Sequence, residues 1–252
     1  MSKRQKGATA QTVVTVLRSK ELVPLITAFQ GGIYHDMLDI VRVLVPFSPK
    51  EHPLYYCPEV VHGVVARLQL SRVPLLVQCL GYMRDVLFLY AAQYGSLDLL
   101  RLLESTYSLR QTPGFLVDLA AQGGHLDVLA YLHHNGPNVG CTTLAMDGAA
   151  MNGHLSIIEF LHNHRHEGCT PRAIVHAAEN GHLDIVQFLH ENVDEEWPID
   201  AVAAAGMHGH VDIVRYLCEH GFLFLSDDDV IVEMALALGD HCPEAKDLLL
   251  LM

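Results

Sequence analysis

The sequence predicts an all-α solenoid of helix–turn–helix repeats joined by short loops, and three observations carry that prediction. A glycine-centred motif recurs five times: "AAQYGSLDLLRLL" from Ala91, "AAQGGHLDVLAYLHHN" from Ala120, "AAMNGHLSIIEFLHNH" from Ala149, "AAENGHLDIVQFLHEN" from Ala177 and "AGMHGHVDIVRYLCEH" from Ala205. Its glycines, Gly95, Gly124, Gly153, Gly181 and Gly209, advance by 29, 29, 28 and 28 residues, a fixed period of the kind that marks stacked repeats. After each glycine, apolar residues return at steps of three and four, the signature of a helix with one buried face.

Each residue type in the unit has a mechanical role. In "HAAENGHLDIVQFLHEN", residues 176–192, Leu183, Ile185, Val186 and Leu189 share one helical face. Asp184 falls in the first turn of that helix, where its charge meets unpaired N–H groups. Gly181 can adopt the left-handed backbone that ends the preceding helix. Ala177 and Ala178 are small enough to let a neighbouring helix approach closely. Upstream, Thr170 and Pro171 read as helix N-cap and first helical residue.

In chain order, residues 1–20 form a basic tail whose "VVTVL" is too short for a secretory signal. Residues 21–252 are expected to be one repeat array of about eight helix pairs with atypical ends. Residues 21–90 are degenerate repeats and a cap, with "MLDIVRVL" at 37–44 and "SRVPLLVQCL" at 71–80 echoing the motif; "VPFSPKEHPLYYCP" at 45–58 is irregular. Residues 91–221 are the clear repeats. Residues 222–252 are a capping repeat, with Gly239 in "ALALGDHCPEAKDLLLL". The terminal "DLLLLM" suits either a buried last helix or a stacking surface.

The segment "GCTPRAIVHAAENGHLDIVQFLHEN", residues 168–192, resembles the ankyrin repeat in its Gly-x-Thr-Pro opening, its central Ala-Ala-x-x-Gly-His and its amphipathic second helix. The resemblance covers five copies over residues 91–221. It departs from the family in a period of 28 to 29 against about 33, and in openings "TPRA" at Thr170 and "TTLA" at Thr142 that lack the family's histidine. The resemblance therefore implies an ankyrin-like solenoid with reduced hairpins.

Charge bears on partners. The net charge is -13, yet residues 1–20 hold Lys3, Arg4, Lys6, Arg18 and Lys20 and no acid, leaving 11 basic against 29 acidic residues in the rest. So acidic a body is unsuited to phosphate backbones, which bind through Lys and Arg, and favours a partner protein with a basic surface. The longest apolar run falls short of the roughly 18 residues of a membrane span. Cys57, Cys79, Cys141, Cys169, Cys218 and Cys242 show neither Cys-x-x-Cys nor disulfide-dense spacing, which suits the reducing cytoplasm or nucleus.

No nucleotide loop, nucleophile elbow or His-Glu-x-x-His is present, and neither an enzyme nor a cofactor is expected. His125, His154, His182 and His210 occupy one slot in four units and read as turn histidines bonding to adjacent backbone. "HNHRH" at 162–166 would align three histidines if extended, a metal-binding geometry; on the other reading His162 ends a helix and His164 and His166 are loop residues. Cys141 and Cys169, in matched "GCT" openings, read as small apolar side chains.

In stacked repeats, positions that vary between units are the candidates for recognition. These are Tyr94, Gln122, Met151, Asn152, His176, Glu179 and His208 on the first helices, with Gln93, Met207, Asp118 and Asp147 beside them; by analogy with ankyrin proteins such residues line the concave face. In the loops they are Arg165, His166, Asp194, Glu195, Glu196 and Trp197. Trp197 is either an interface anchor or packed on the next repeat. The expected function is a non-enzymatic scaffold or adaptor binding a partner protein. The alternative is a substrate receptor docking through residues 17–30, "LRSKELVPLITAFQ", which faintly resemble an F-box. A histidine-dependent metal-binding protein comes third.

Overall fold

The computed structural model describes residues 68–109, 115–136, 140–193 and 200–220, with positions 62, 63, 65 and 198 besides. The basic tail, residues 17–30 and 45–58, the C-terminal cap, and the loop residues Glu195 and Trp197 lie outside the described residues. The chain divides into two compact units, residues 1–90 with 98–108 and residues 91–97 with 109–252.

In the first unit a 3-10 turn, Leu70–Arg72, leads into α1 (Val73–Cys79). Pro74 sits in the first turn of α1, where a missing N–H costs nothing. Helix α2 (Met83–Gln93) begins in this unit, and most of α3 (Leu97–Thr106) belongs to it. Leu76, Met83, Leu87, Phe88, Leu99, Leu100 and Leu103 are fully buried there.

The second unit alternates short first helices with longer second helices. The first helices are α4 (Leu116–Gln122), α6 (Thr143–Met151), α8 (Arg172–Glu179) and α10 (Asp200–Met207). The second helices are α5 (Leu126–Asn135), α7 (Leu155–His164), α9 (Leu183–Asn192) and α11 (Val211–Glu219). Among the described residues there is no strand, and no helix is long and apolar enough to cross a membrane. Each first helix packs on the next, α4 on α6, α6 on α8 and α8 on α10, and also on its own second helix. The alanine pairs make this possible: Ala120, Ala121, Ala149, Ala150, Ala177 and Ala178 are all fully buried between neighbours. The second helices supply the bulk of the core through Val128, Leu129 and Leu132, then Ile157, Ile158 and Leu161, then Ile185, Val186 and Leu189, then Ile213, Val214 and Leu217. Each such side chain contributes about 1.5–3 kcal/mol by leaving water.

The turn between the two helices of a repeat follows from one glycine and one histidine. Gly124, Gly153, Gly181 and Gly209 have φ of +80 to +81°, a conformation with no cost only for glycine. It lets the N–H of the next residue return to the first helix: His125, His154, His182 and His210 donate to the carbonyls of Ala120, Ala149, Ala177 and Ala205 at 2.9–3.0 Å. The histidine ring then reaches beyond its own repeat. His125 Nε2 bonds to the carbonyl of Gln93 at 3.1 Å and His210 Nε2 to that of Glu179 at 3.2 Å. The adjacent backbone expected from the sequence is thus that of the preceding repeat, 31 to 32 residues back.

Openings and ends are capped as regularly. Thr142 caps α6, its hydroxyl accepting from the N–H of Leu144 at 3.1 Å, and Thr170 does the same for Arg172 at 3.3 Å. Helix α8 starts one residue after Pro171, whose φ of -55° and ψ of -15° are already helical. At the far end of the second helices Asn135, His164, Asn192 and His220 each donate to the carbonyl four residues back, at 2.8–3.0 Å. These bonds tie the last turn to the side chain that ends it; the Tyr216 carbonyl also accepts the backbone N–H of His220, at 3.2 Å.

A seam of rings joins the second helices. Histidines His133, His162 and His190 meet the aromatic ring of the following repeat, Phe160, Phe188 and Tyr216, edge-to-face with centroids 5.6, 5.7 and 5.7 Å apart. Edge-to-face contacts of this kind add about 0.5–1.5 kcal/mol for aromatic pairs.

Candidate functional site: the first-helix ridge

Residues seven apart return to the same side of a helix, and this spacing builds the exposed ridge of the first helices. On α4 it pairs Phe115, just ahead of the helix, with Gln122; on α6 Leu144 with Met151; on α8 Arg172 with Glu179; on α10 Asp200 with Met207. All are exposed except Glu179, which is half-buried. Leu119, Gly148, His176 and Ala204 fall between them. The ridge changes character along the array. Phe115, Leu144 and Met151 are 56%, 61% and 44% exposed, a run of apolar surface on two successive helices. The next two helices present Arg172, His176, Glu179 and Asp200, and then Met207, which is 55% exposed.

Of the residues singled out from the sequence, Tyr94, Gln122, Met151, Asn152 and His208 are exposed, and His176 and Glu179 are half-buried and bonded to each other at 3.3 Å. The polar groups of Asn152 and His208 are partly committed: each donates to the carbonyl four residues back in its own helix, at 2.9 and 3.0 Å, capping it. Phe115 and Leu144 escape sequence reasoning because each abuts a buried apolar neighbour, Leu116 or Ala145, and one apolar residue at a helix start carries no phase. The signal that could have found them is that Phe115, Leu144, Arg172 and Asp200 share one repeat slot and differ widely in type.

Asp118 and Asp147 belong to the frame and not to the ridge. Both are buried, and each carboxylate accepts two bonds from the threonine opening the next repeat. Thr142 donates its N–H to Asp118 Oδ1 at 2.8 Å and its hydroxyl to Oδ2 at 2.7 Å. Thr170 treats Asp147 identically, at 2.8 and 2.7 Å. Where the following opening carries Pro198, with neither N–H nor hydroxyl, the matching slot on α8 holds Val175. Burial pushes the Asp118 carboxyl up, against the opposing pull of its two bonds from Thr142.

The loop residue Arg165 also turns inward. Its side chain is 13% exposed and ion-paired with Glu167 at 2.6 Å, lying against Cys141. Arg165 holds the Glu167 carboxyl below the usual range. His166 beside it stays exposed. The "HNHRH" stretch is not extended: His162 and His164 lie in α7, two residues apart and so not facing one another. Among the described residues no group of three His, Cys, Asp or Glu is placed to hold a metal ion. Burial pushes the thiols of Cys141 and Cys218 up to about 12 and about 11, far from the thiolate a nucleophile needs. Cys169 is buried, as its repeat position suggests.

Residues 117–197 match the family model for ankyrin repeats, in three copies. No curated protein matches the chain. Among solved structures, the crystal structure of the human ASB11 ankyrin repeat domain is similar at 21% identity, covering 53% of this chain and 68% of that one with a TM-score of 0.42. With the helix pairs, alanine-lined first helices and glycine turns in place, residues 117–197 are ankyrin repeats, an array of protein–protein interaction modules.

Proposed function

We propose that this chain is a non-enzymatic scaffold or adaptor that binds a partner protein along the first-helix ridge. The observation carrying the reading is the exposure of Phe115, Leu144 and Met151 together on α4 and α6, side by side in a preformed frame. Large apolar side chains held in this way bind with little ordering cost. The partner's apolar residues sit on this end and its basic residues towards Glu179 and Asp200, in keeping with the acidic balance of the chain. Association of this kind weakens as salt rises. Tyr94, Gln122, Asn152, His208 and His166 are the flanking contacts, and the cytoplasm or nucleus is the setting.

The test is capture from a matched lysate by the wild type, by Leu144→Ala with Met151→Ala, and by a control, Glu159→Ala, on the exposed side of α7. Loss of the same partners with the ridge variant alone, at unchanged helicity and melting, supports the reading; each side chain is expected to cost about 1–2 kcal/mol of binding. Equal capture by all three sinks it, and residues 17–30 then become the docking segment to examine.

A further inference from the structure

We infer that the boundary between α5 and α7 is an acid-labile joint of the array, with the His133 ring as its trigger. His133 is enclosed by rings from both sides of the boundary: His134 at 5.3 Å, Phe160 at 5.6 Å and His164 at 5.8 Å between centroids. Its Nδ1 is buried and has no hydrogen-bond partner. Protonation places an N–H donor and a positive charge at that atom, where no acceptor receives them, and a buried unsatisfied donor is costly.

The surrounding charges oppose the proton as well. Arg165 at the end of α7, His134 on α5 and His164 on α7 face His133, and each disfavours a positive charge there. The nearby carboxylate, Glu167, is already held by Arg165 at 2.6 Å. The carboxylates of α4 and α6, Asp118 and Asp147, are turned to Thr142 and Thr170. The His133 imidazole accordingly sits below its usual range, first through burial and then through Arg165, His134 and His164.

The other boundaries are built differently. His190 Nδ1 has the hydroxyl of Tyr216 at 2.9 Å, and His162 is exposed to water. Because the folded state of the α5/α7 boundary binds the proton less well than the opened state, its stability is full above the unfolded histidine value of about 6.5 and falls as pH drops below it. The same two repeats carry Phe115, Leu144 and Met151, so opening would release a partner held there. That consequence rests on the ridge reading, whereas the joint itself is tested on the unbound protein.

Hydrogen exchange of the full chain, corrected for the intrinsic pH dependence, should lose protection by about 3- to 10-fold in α5 and α7 between about pH 7 and about pH 5.5. Protection in α9 and α11 should be unchanged, and His133→Phe should abolish the difference. In the wild type, the His133 ring resonances should titrate below the unfolded-histidine value of about 6.5, a readout independent of whether the variant folds. Protection lost evenly along the array, protection retained everywhere, or His133 titrating at or above that value each overturns the joint.

Discussion

Gly181→Ala is expected to destabilise the array by about 2–5 kcal/mol, and the loss should shrink to about 1–2 kcal/mol when His210 is also replaced by alanine. Two costs are superimposed at this position. The backbone φ of +81° is strained for any residue with a Cβ. A Cβ there would also lie 2.6 Å from Cε1 of the His210 ring, which the next repeat places in the space the glycine leaves empty. Gly124 faces His154 at the same 2.6 Å, and Gly153 faces His182 at 2.7 Å, so the arrangement recurs at successive boundaries. A double-mutant cycle by urea denaturation separates the terms: His210→Ala removes the ring contact and leaves the backbone strain. If Gly181→Ala costs the same in both backgrounds, the ring does not occupy that space and the account of repeat stacking fails.

Asp147→Ala is the second large effect, expected at about 2–3 kcal/mol. Alanine strands both the N–H and the hydroxyl of Thr170 in a half-buried site, and unsatisfied donors cost about 1–3 kcal/mol each. Asp147→Asn keeps an acceptor and should cost about 1 kcal/mol, so the two variants distinguish lost bonds from lost charge. At the matching site Asp118→Asn has a further readout. Since burial raises the Asp118 carboxyl in the folded protein, the folded state takes up that proton first, and the group adds stability relative to neutral pH as acid approaches the carboxylate range. Asp118→Asn should remove that gain. Denaturation midpoints at neutral and acid pH check both statements, and an Asp147→Ala variant as stable as wild type would show that water replaces the carboxylate.

Much of the frame can be read from one unit and multiplied. Gly181 with its positive φ, Asp184 in the first turn of α9, the buried Ala177 and Ala178 and the apolar face of Ile185, Val186 and Leu189 all obey rules that operate within four residues of chain. The failures share a different scale. Asp118 and Asp147 have the look of surface acids until Thr142 and Thr170, 24 and 23 residues on, are brought against them. Arg165 has the composition of a loop tip and is instead folded onto Glu167 and Cys141. The ring seam of His133, His162 and His190 is not legible within one unit, since their aromatic partners lie one repeat away. A signal did exist, because the Asp slot and the Thr slot change together to Val175 and Pro198, but it becomes meaningful only once repeats are superimposed.

The sequence by itself determined the repeat, its period, its turns and which face of each helix is buried, because backbone sterics and the hydrophobic effect act on neighbours along the chain and along one helix face. The tertiary structure decided which polar residues are buried in the frame and which stay exposed. That division depends on how one repeat is set against the next, and groups 23 to 32 residues apart meet or miss according to a stacking geometry that no local pattern specifies.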